Sequence, residues 1–242
     1  MIKSGEVALV TGAGHRLGRE FALALGARGA KVAVHYNSSG DGARTTVAMI
    51  AEAGGTAQAF QSDLTRPDGP HALIDAVVRD MGVPNILINS AAVMERTPLG
   101  EVSVEAWDKM FALNLRAPFF LAQSAARVMP AGSVIINISD LAAYESWPDF
   151  IPHAVSKAGI LRMTESLARA LGPGIRVNSI APGAVLVPEY WDEKKSARFA
   201  ESTPLRTLGD PADAVGAMLY LLDAGFVTGE TIVVDGGRRI RK

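Results

Sequence analysis

The 242-residue sequence is predicted to fold as an α/β protein: a single Rossmann-type, doubly wound parallel sheet of about seven strands with helices on both faces. Three observations predict this. Short apolar runs alternate with helical stretches along the whole chain. The first run, Val7-Ala8-Leu9-Val10, is continuously apolar, as a strand buried on both faces must be. That run flows directly into a glycine cluster that opens a helix.

Each element follows in order. Val7–Val10 is the first strand, and a helix runs from Leu17 to about Arg28 and stops near Gly29. Lys31–His35 is the second strand, Gly42–Ala53 a helix closed by Gly54-Gly55, and Thr56–Gln61 the third strand. Pro70–Met81 is a helix ended by Gly82, and Asn85–Asn89 is again a buried apolar strand. Ser103–Met129 is expected as one long helix with Ser103 as N-cap. Ser133–Ser139 is a strand, Pro152–Leu171 a helix stopped by Gly172-Pro173-Gly174, and Arg176–Ala181 a strand. Asp210-Pro211 is a capping carboxylate before a proline and starts a helix to about Leu222; Thr231–Val234 is the last strand. Residues 183–204, with Pro188, Pro204 and the pair Tyr190-Trp191, form the least regular stretch and the candidate substrate lid.

Composition excludes several function classes. Lys plus Arg is 24 and Asp plus Glu is 25, so no basic excess remains to neutralise nucleic-acid phosphates. With no cysteine there is no disulfide framework, thiolate zinc site or Fe–S cluster. The N-terminus lacks the apolar core of a signal peptide, and no window holds the roughly 18–20 apolar residues of a membrane span. A cytoplasmic protein of one domain, residues 1–242, is the expectation. His35 and His71 have no metal-ligand spacing partners and read as loop and helix-start residues. The charged run 189–198 reads as a solvated helix face, and the basic tail 238–242 likewise as solvated.

Thr11-Gly12-Ala13-Gly14-His15-Arg16-Leu17-Gly18 carries the first chemistry. Between a strand and a helix, glycines let the backbone approach a pyrophosphate, and the helix N-terminus supplies N–H donors. The second strand ends Tyr36-Asn37-Ser38-Ser39, with no carboxylate to hold a ribose 2′-hydroxyl, which argues against NAD. Asn37, Ser38 and Ser39, with His15 or Arg16, can instead receive a 2′-phosphate, so the expected cofactor is NADP.

With this loop, Asp63-Leu64, Asn89-Ser90-Ala91-Ala92, Asn114, Lys157 in His-Ala-Val-Ser-Lys, Pro182-Gly183 and Asp235-Gly236-Gly237, the chain resembles the short-chain dehydrogenase/reductase family over essentially its whole length. The resemblance implies that Asp63 and Leu64 sit at the adenine, Asn89 and Ala91 beside the adenosine ribose, Lys157 at the nicotinamide ribose, and Pro182 and Gly183 beside the nicotinamide. Arg16, where the family usually has glycine, resembles the pteridine reductase branch.

The family's reductases use a serine, a tyrosine thirteen residues later and a lysine four beyond. Counting back from Lys157, those positions hold Asp140 and His153. Aspartate again resembles the pteridine reductases; histidine does not. Tyr144 lies nine residues too early to replace the missing tyrosine. Imidazole serves as an acid only when it starts as imidazolium, so a contact between Asp140 and His153 decides whether the pair works. Asn114, Asp140, His153 and Lys157 are therefore the candidate catalytic residues, and Arg16, Met94, Asp140 and Trp191 the candidate substrate contacts. Met94 stands where the pteridine reductases place an aromatic ring.

The reading is an NADP(H)-dependent reductase acting on a C=O or C=N bond of a small substrate. A carbonyl or 3-oxoacyl reductase, and a dinucleotide-binding protein without turnover, are the alternatives. Helices 103–129 and 152–171 are apolar over more than one face, with Phe111, Leu115, Phe119, Phe120 and Leu121 on one and Ile160, Leu161, Met163 and Leu167 on the other. Such helices need cover beyond the sheet, so a homotetramer, or at least a dimer, is expected.

Overall fold

Side-chain alternation sorts the strands between two core layers. In β1 (Val7–Val10), Ala8 and Val10 face one layer, and Val7 and Leu9 the other. The first layer receives α1 (Arg16–Ala27) through Phe21 and Leu25, α2 (Gly40–Glu52) through Ile50, and α8 (Pro211–Asp223) through Met218 and Leu221. The second receives α3 (Gly69–Met81) through Leu73, Ile74 and Val77, α5 (Ala117–Ala126) through Leu121, and α6 (Ile151–Leu171) through Leu167. Fully burying one such side chain contributes about 1.5–3 kcal/mol, so either layer lost would unfold the sheet. The computed structural model describes residues 4–187 and 191–240.

The remaining strands are β2 (Lys31–Tyr36), β3 (Thr56–Gln61), β4 (Pro84–Asn89), β5 (Ser133–Ile138), β6 (Ile175–Pro182) and β7 (Thr231–Val234). All seven pair in parallel in the order β3-β2-β1-β4-β5-β6-β7. From β1 the sheet grows outward to β2 on one side and to β4 on the other. A crevice opens over the carboxyl ends of β1 and β4, the switch point at which doubly wound sheets take ligands. The expected fold class and all seven strands are present.

The expected single helix over 103–129 is instead α4 (Val104–Phe111), a π turn (Ala112–Arg116) and α5. Pro118 explains the break. It has no N–H to donate to the Asn114 carbonyl four residues back, and its ring crowds that oxygen, so the turn widens. The expected cap at Ser103 is present, its Oγ accepting from Ala106 N–H at 3.1 Å. The irregular stretch after β6 contains α7 (Glu193–Glu201), capped by Asp192 and with no buried residue. Pro188, Glu189 and Tyr190 of the expected lid, and Arg241 and Lys242 of the basic tail, lie outside the described residues. Among the described residues no helix is long and apolar enough to cross a membrane.

Candidate functional site

A cleft of about 450 Å³ lies over the carboxyl ends of β1, β2 and β4. Its lining includes Gly12, Gly14, His15, Arg16, Leu17, Gly18, Asn37, Ser38, Ser39, Asp63, Leu64, Ala91 and Lys157, so most expected cofactor residues converge. The glycines are sterically required. A Cβ on Gly12, at φ +67°, would lie 2.9 Å from Ala91 Cα, and one on Gly18 would lie 2.4 Å from Gly12 O. Any side chain would push the loop out of the cradle. Ser39 Oγ tucks beneath the loop, 3.3 Å from where a Gly14 Cβ would stand. Arg16 adopts a positive φ of 51° and reaches across to the Leu186 carbonyl at 2.9 Å, joining the glycine loop to the stretch that follows β6. The described rim of β2 presents Tyr36, Asn37, Ser38 and Ser39 and no carboxylate.

His35, expected both at the end of the second strand and among the loop residues, is not in a loop. It is a buried strand residue on β2, opposite Phe60 of β3, and it lines the cleft floor. Its Nδ1 accepts from Gly12 N–H at 3.1 Å, and its Nε2 lies 3.0 Å from the Ser62 carbonyl. Burial pushes its pKa down to about 4. A polar residue inside an otherwise apolar strand run was the available signal. His71, by contrast, does sit in the first turn of α3, beside Asp75 at 3.4 Å.

The second cluster lies where β5 ends and α6 begins. Asp140 Oδ2 and His153 Nε2 are 2.7 Å apart, and Asp140 Oδ1 accepts from Ala142 N–H at 2.8 Å. The His153 side chain is 2% exposed and that of Asp140 24%. Burial works to raise the Asp140 carboxyl, but the hydrogen bond from His153 and the Lys157 charge outweigh it, so the acid stays below its ordinary range. Burial lowers the Lys157 ammonium, opposed by Asp140; its Nζ donates to the Ile138 carbonyl at 2.9 Å.

Asn114 reaches this cluster from the π turn. Its Oδ1 accepts from Val93 N–H at 2.9 Å, and its Nδ2 donates to Val93 O at 2.8 Å. Those two backbone groups fix the amide's orientation. Behind it, His153 Nδ1 has two neighbours of opposite kind, Asn114 Nδ2 at 3.4 Å and Val93 O at 3.2 Å. A bare Nδ1 accepts from the amide, and a protonated Nδ1 donates to the carbonyl. Either charge state of the ring is therefore hydrogen-bonded without moving an atom. The Val93 carbonyl belongs to the backbone and leaves no signature in the sequence.

Other expected residues stand elsewhere. Asn89 is not in the cleft's lining; its Nδ2 donates to Asn137 Oδ1 at 2.9 Å, Asn137 donates to Thr164 at 3.0 Å, and Asn89 Oδ1 is buried without a partner among the described residues. Asn89 thus ties β4, β5 and α6 together, and Ser90, Ala91, Ala92 and Val93 line the cleft in its stead. Gly183 packs on Asp235, whose Cα lies 3.0 Å from a virtual Cβ, and donates to Val234 O at 2.8 Å; neither it nor Pro182 lines the cleft. Met94 is half exposed, and Trp191 packs against Phe199 of α7, ring centroids 5.2 Å apart. Arg238, expected to be solvated, is only 13% exposed in its side chain and pairs with Glu145 at 3.1 Å.

With this geometry in view, the comparisons with known proteins agree on the family. A family model described as enoyl-(acyl carrier protein) reductase matches residues 12–239. The 3beta-hydroxysteroid dehydrogenase 1 of Eggerthella lenta is 37% identical over 245 residues, covering 96% of this chain and 93% of that protein. The angucycline C-6 ketoreductase LanV, solved with bound NADP, superposes with a TM-score of 0.92 at 32% identity, over 98% of this chain and 97% of its own. FolM, an alternative dihydrofolate reductase 1 from Brucella canis solved with NADP, does so with a TM-score of 0.92 at 29% identity, over 98% and 95%. The parallel seven-stranded sheet, the glycine cradle at its switch point and these full-length matches together make the chain a member of the short-chain dehydrogenase/reductase family.

Proposed function

We propose that this protein is an NADP(H)-dependent reductase of a C=O or C=N bond in a small polar substrate, nearest in its site to the pteridine reductases. The observation that carries the proposal is the Asp140–His153 pair backed by Asn114 and Val93. A site that had lost its tyrosine and its chemistry together would not need to hydrogen-bond both charge states of the replacement.

The glycine cradle fits a dinucleotide, since its backbone can approach closely only because Cβ atoms are absent at Gly12 and Gly18. Asn37, Ser38 and Ser39 would take the 2′-phosphate, Asp63, Leu64 and Ala91 would flank the adenosine, and Lys157 would hold the second ribose. The cofactor supplies a hydride when bound. The chain supplies the proton. Imidazolium at His153 would hold it against Asp140, and because the ring is buried while the carboxylate is partly exposed, Asp140 rather than the ring would pass it on to the substrate; neither side chain is part of the cofactor cleft's lining. The hydrogen bond from His153 and the charge of Lys157 together hold the Asp140 carboxyl below its ordinary range. Arg16 and Met94, with Trp191 from the lid, are the remaining candidate substrate contacts. Relatives and neighbours that reduce ketones keep a simple carbonyl substrate as the second reading, and a homo-oligomer is the proposed assembly.

The test is steady-state turnover of NADPH and NADH on a panel of pterins, quinones and ketones. General acid catalysis contributes about 10²–10⁴-fold, so Asp140→Asn and His153→Phe should each lower kcat by about a hundredfold or more while leaving NADPH affinity within a few-fold. Two charge-assisted phosphate hydrogen bonds at about 1.5–3 kcal/mol each make NADPH tens-fold preferred over NADH or more. Tight NADPH binding without turnover on any member of the panel would assign the chain to cofactor binding alone.

A further inference from the structure

We propose that His35 is a positioning residue for the dinucleotide: one neutral imidazole fixes the glycine loop to the turn after β3, so that both close on the same cofactor at a set spacing. The inference rests on the dinucleotide-binding reading above. It starts from two obligate partners. Gly12 N–H can only donate, so the Nδ1 that meets it at 3.1 Å must be bare. The Ser62 carbonyl can only accept, so the Nε2 at 3.0 Å from it must carry the proton. The backbone alone thus selects the Nε2–H tautomer, and a charged ring would set N–H against N–H at Gly12.

The two contacts join segments far apart in sequence that both line the cleft. Gly12 leads the glycine loop, whose next residue also docks on β2, Ala13 N–H donating to His35 O at 2.9 Å. Ser62 immediately precedes Asp63 and Leu64, the cleft wall opposite that loop. The Ser62 backbone is held in turn by its own N–H donating to Tyr36 O at 3.0 Å, and Asp63 Oδ1 accepts from both Thr65 N–H and Thr65 Oγ1, at 2.9 and 2.6 Å. Gly12 packs close to Ala91, where a Cβ would lie 2.9 Å from Ala91 Cα, and its N–H donates to His35 Nδ1, so the ring holds the loop at its first residue. A plain core residue would do none of this. The strand position is enclosed enough for an apolar side chain, yet both ring nitrogens are engaged.

Three measurements test the proposal. In the cofactor-free parent, nitrogen NMR of the His35 ring should show a bare Nδ1 and a protonated Nε2 throughout pH 5.5–8; the opposite tautomer or a charged ring overturns it. His35→Phe fills the space without either bond and should weaken NADPH binding at least tenfold, raising the KM for NADPH while kcat at saturating NADPH and the carbonyl substrate's KM stay within twofold. His35→Asn restores an acceptor near Gly12 and should recover part of the loss. If His35→Phe is folded by circular dichroism and binds NADPH as the parent does, the positioning role is wrong although the dinucleotide reading stands. If His35→Phe fails to fold, His35→Leu, which also lacks both bonds, decides by the same affinity comparison. A parent that binds neither NADPH nor NADH overturns the dinucleotide reading and this inference with it.

Discussion

Asp140 and His153 stand thirteen positions apart in sequence and 2.7 Å apart in space, and counting back from Lys157 is enough to name both. What that count cannot give is which of them is exposed: the His153 ring is buried and the Asp140 carboxylate is partly exposed, and neither lines the cofactor cleft. Backbone partners such as the Val93 carbonyl were likewise out of reach, because no residue type encodes them. His35 was legible in principle, as the one polar residue between Val34 and Tyr36 on a strand otherwise set to be buried. Its burial also gives stability a defined pH dependence. The folded ring titrates near pH 4, whereas in the unfolded chain it does so near 6.5. Between these values only the unfolded chain takes up the proton, so the contribution is complete above about pH 6.5 and is lost as the pH falls towards 4. At about 1.4 kcal/mol per pH unit the loss reaches roughly 3 kcal/mol. Urea denaturation of the parent and His35→Asn at pH 7 and pH 4.5 should show the parent losing about 2 kcal/mol more than the variant. Equal losses would mean that the ring already takes up its proton in the fold.

At the scale of elements, periodicity predicted every strand but misjudged where two helices begin and end, in each case for a local reason. Pro118 splits the long helix and in doing so makes the π turn that delivers Asn114 to Val93, so the irregularity serves the site. The charged run 189–198 reads as a solvated helix face, and α7 starts and ends a few residues later, at Glu193 and Glu201. None of its residues is buried, and its attachment comes from a residue of the C-terminal segment. Arg238 stacks over Phe199 at 4.0 Å, bonds Ser202 Oγ, and pairs with Glu145 in the loop after β5, where Trp147 Nε1 also donates to Glu145 at 2.9 Å. One guanidinium therefore holds α7 to the loop that follows Asp140. Arg238→Met keeps the stem and removes the charged hydrogen bonds, each worth about 1.5–3 kcal/mol. Opening of α7 should become about ten to a hundred times more frequent, and trypsin should cut at Lys194, Lys195 and Arg198 faster by the same factor, with cuts located by mass spectrometry. An unchanged rate would show that Arg238 does not retain α7.

For the molecule as a whole, strand order and handedness follow from the alternation of strands and helices, and the switch point then dictates where the cleft must lie. Assembly does not follow from one chain's periodicity with the same force, yet the surface offers a specific argument. Phe111, Leu115, Arg116, Phe119, Phe120, Gly159 and Met163 form an apolar groove between the α4–α5 side and α6. Gly159 allows the close approach, since a Cβ there would lie 3.0 Å from Leu115 Cδ2. Phe119 and Phe120 meet edge to face, centroids 5.2 Å apart, and remain 39% and 40% exposed. A second copy related by a twofold axis would bring the same groove opposite, so each ring covers and is covered. Burying the exposed two-fifths of four phenylalanine rings contributes roughly 4 kcal/mol, since complete burial of one is worth about 1.5–3 kcal/mol. That is too little alone against the cost of association, so Leu115 and Met163 must be covered in the same contact. A carboxylate in the middle of such a face would be desolvated twice per dimer with no partner. Light scattering at micromolar concentration should therefore give the parent two or four times the chain mass, and Phe120→Glu, which alters only an exposed ring, should give a smaller species with an unchanged circular dichroism spectrum. A monomeric parent, or a Phe120→Glu variant that assembles as the parent does, would remove this groove from the interface.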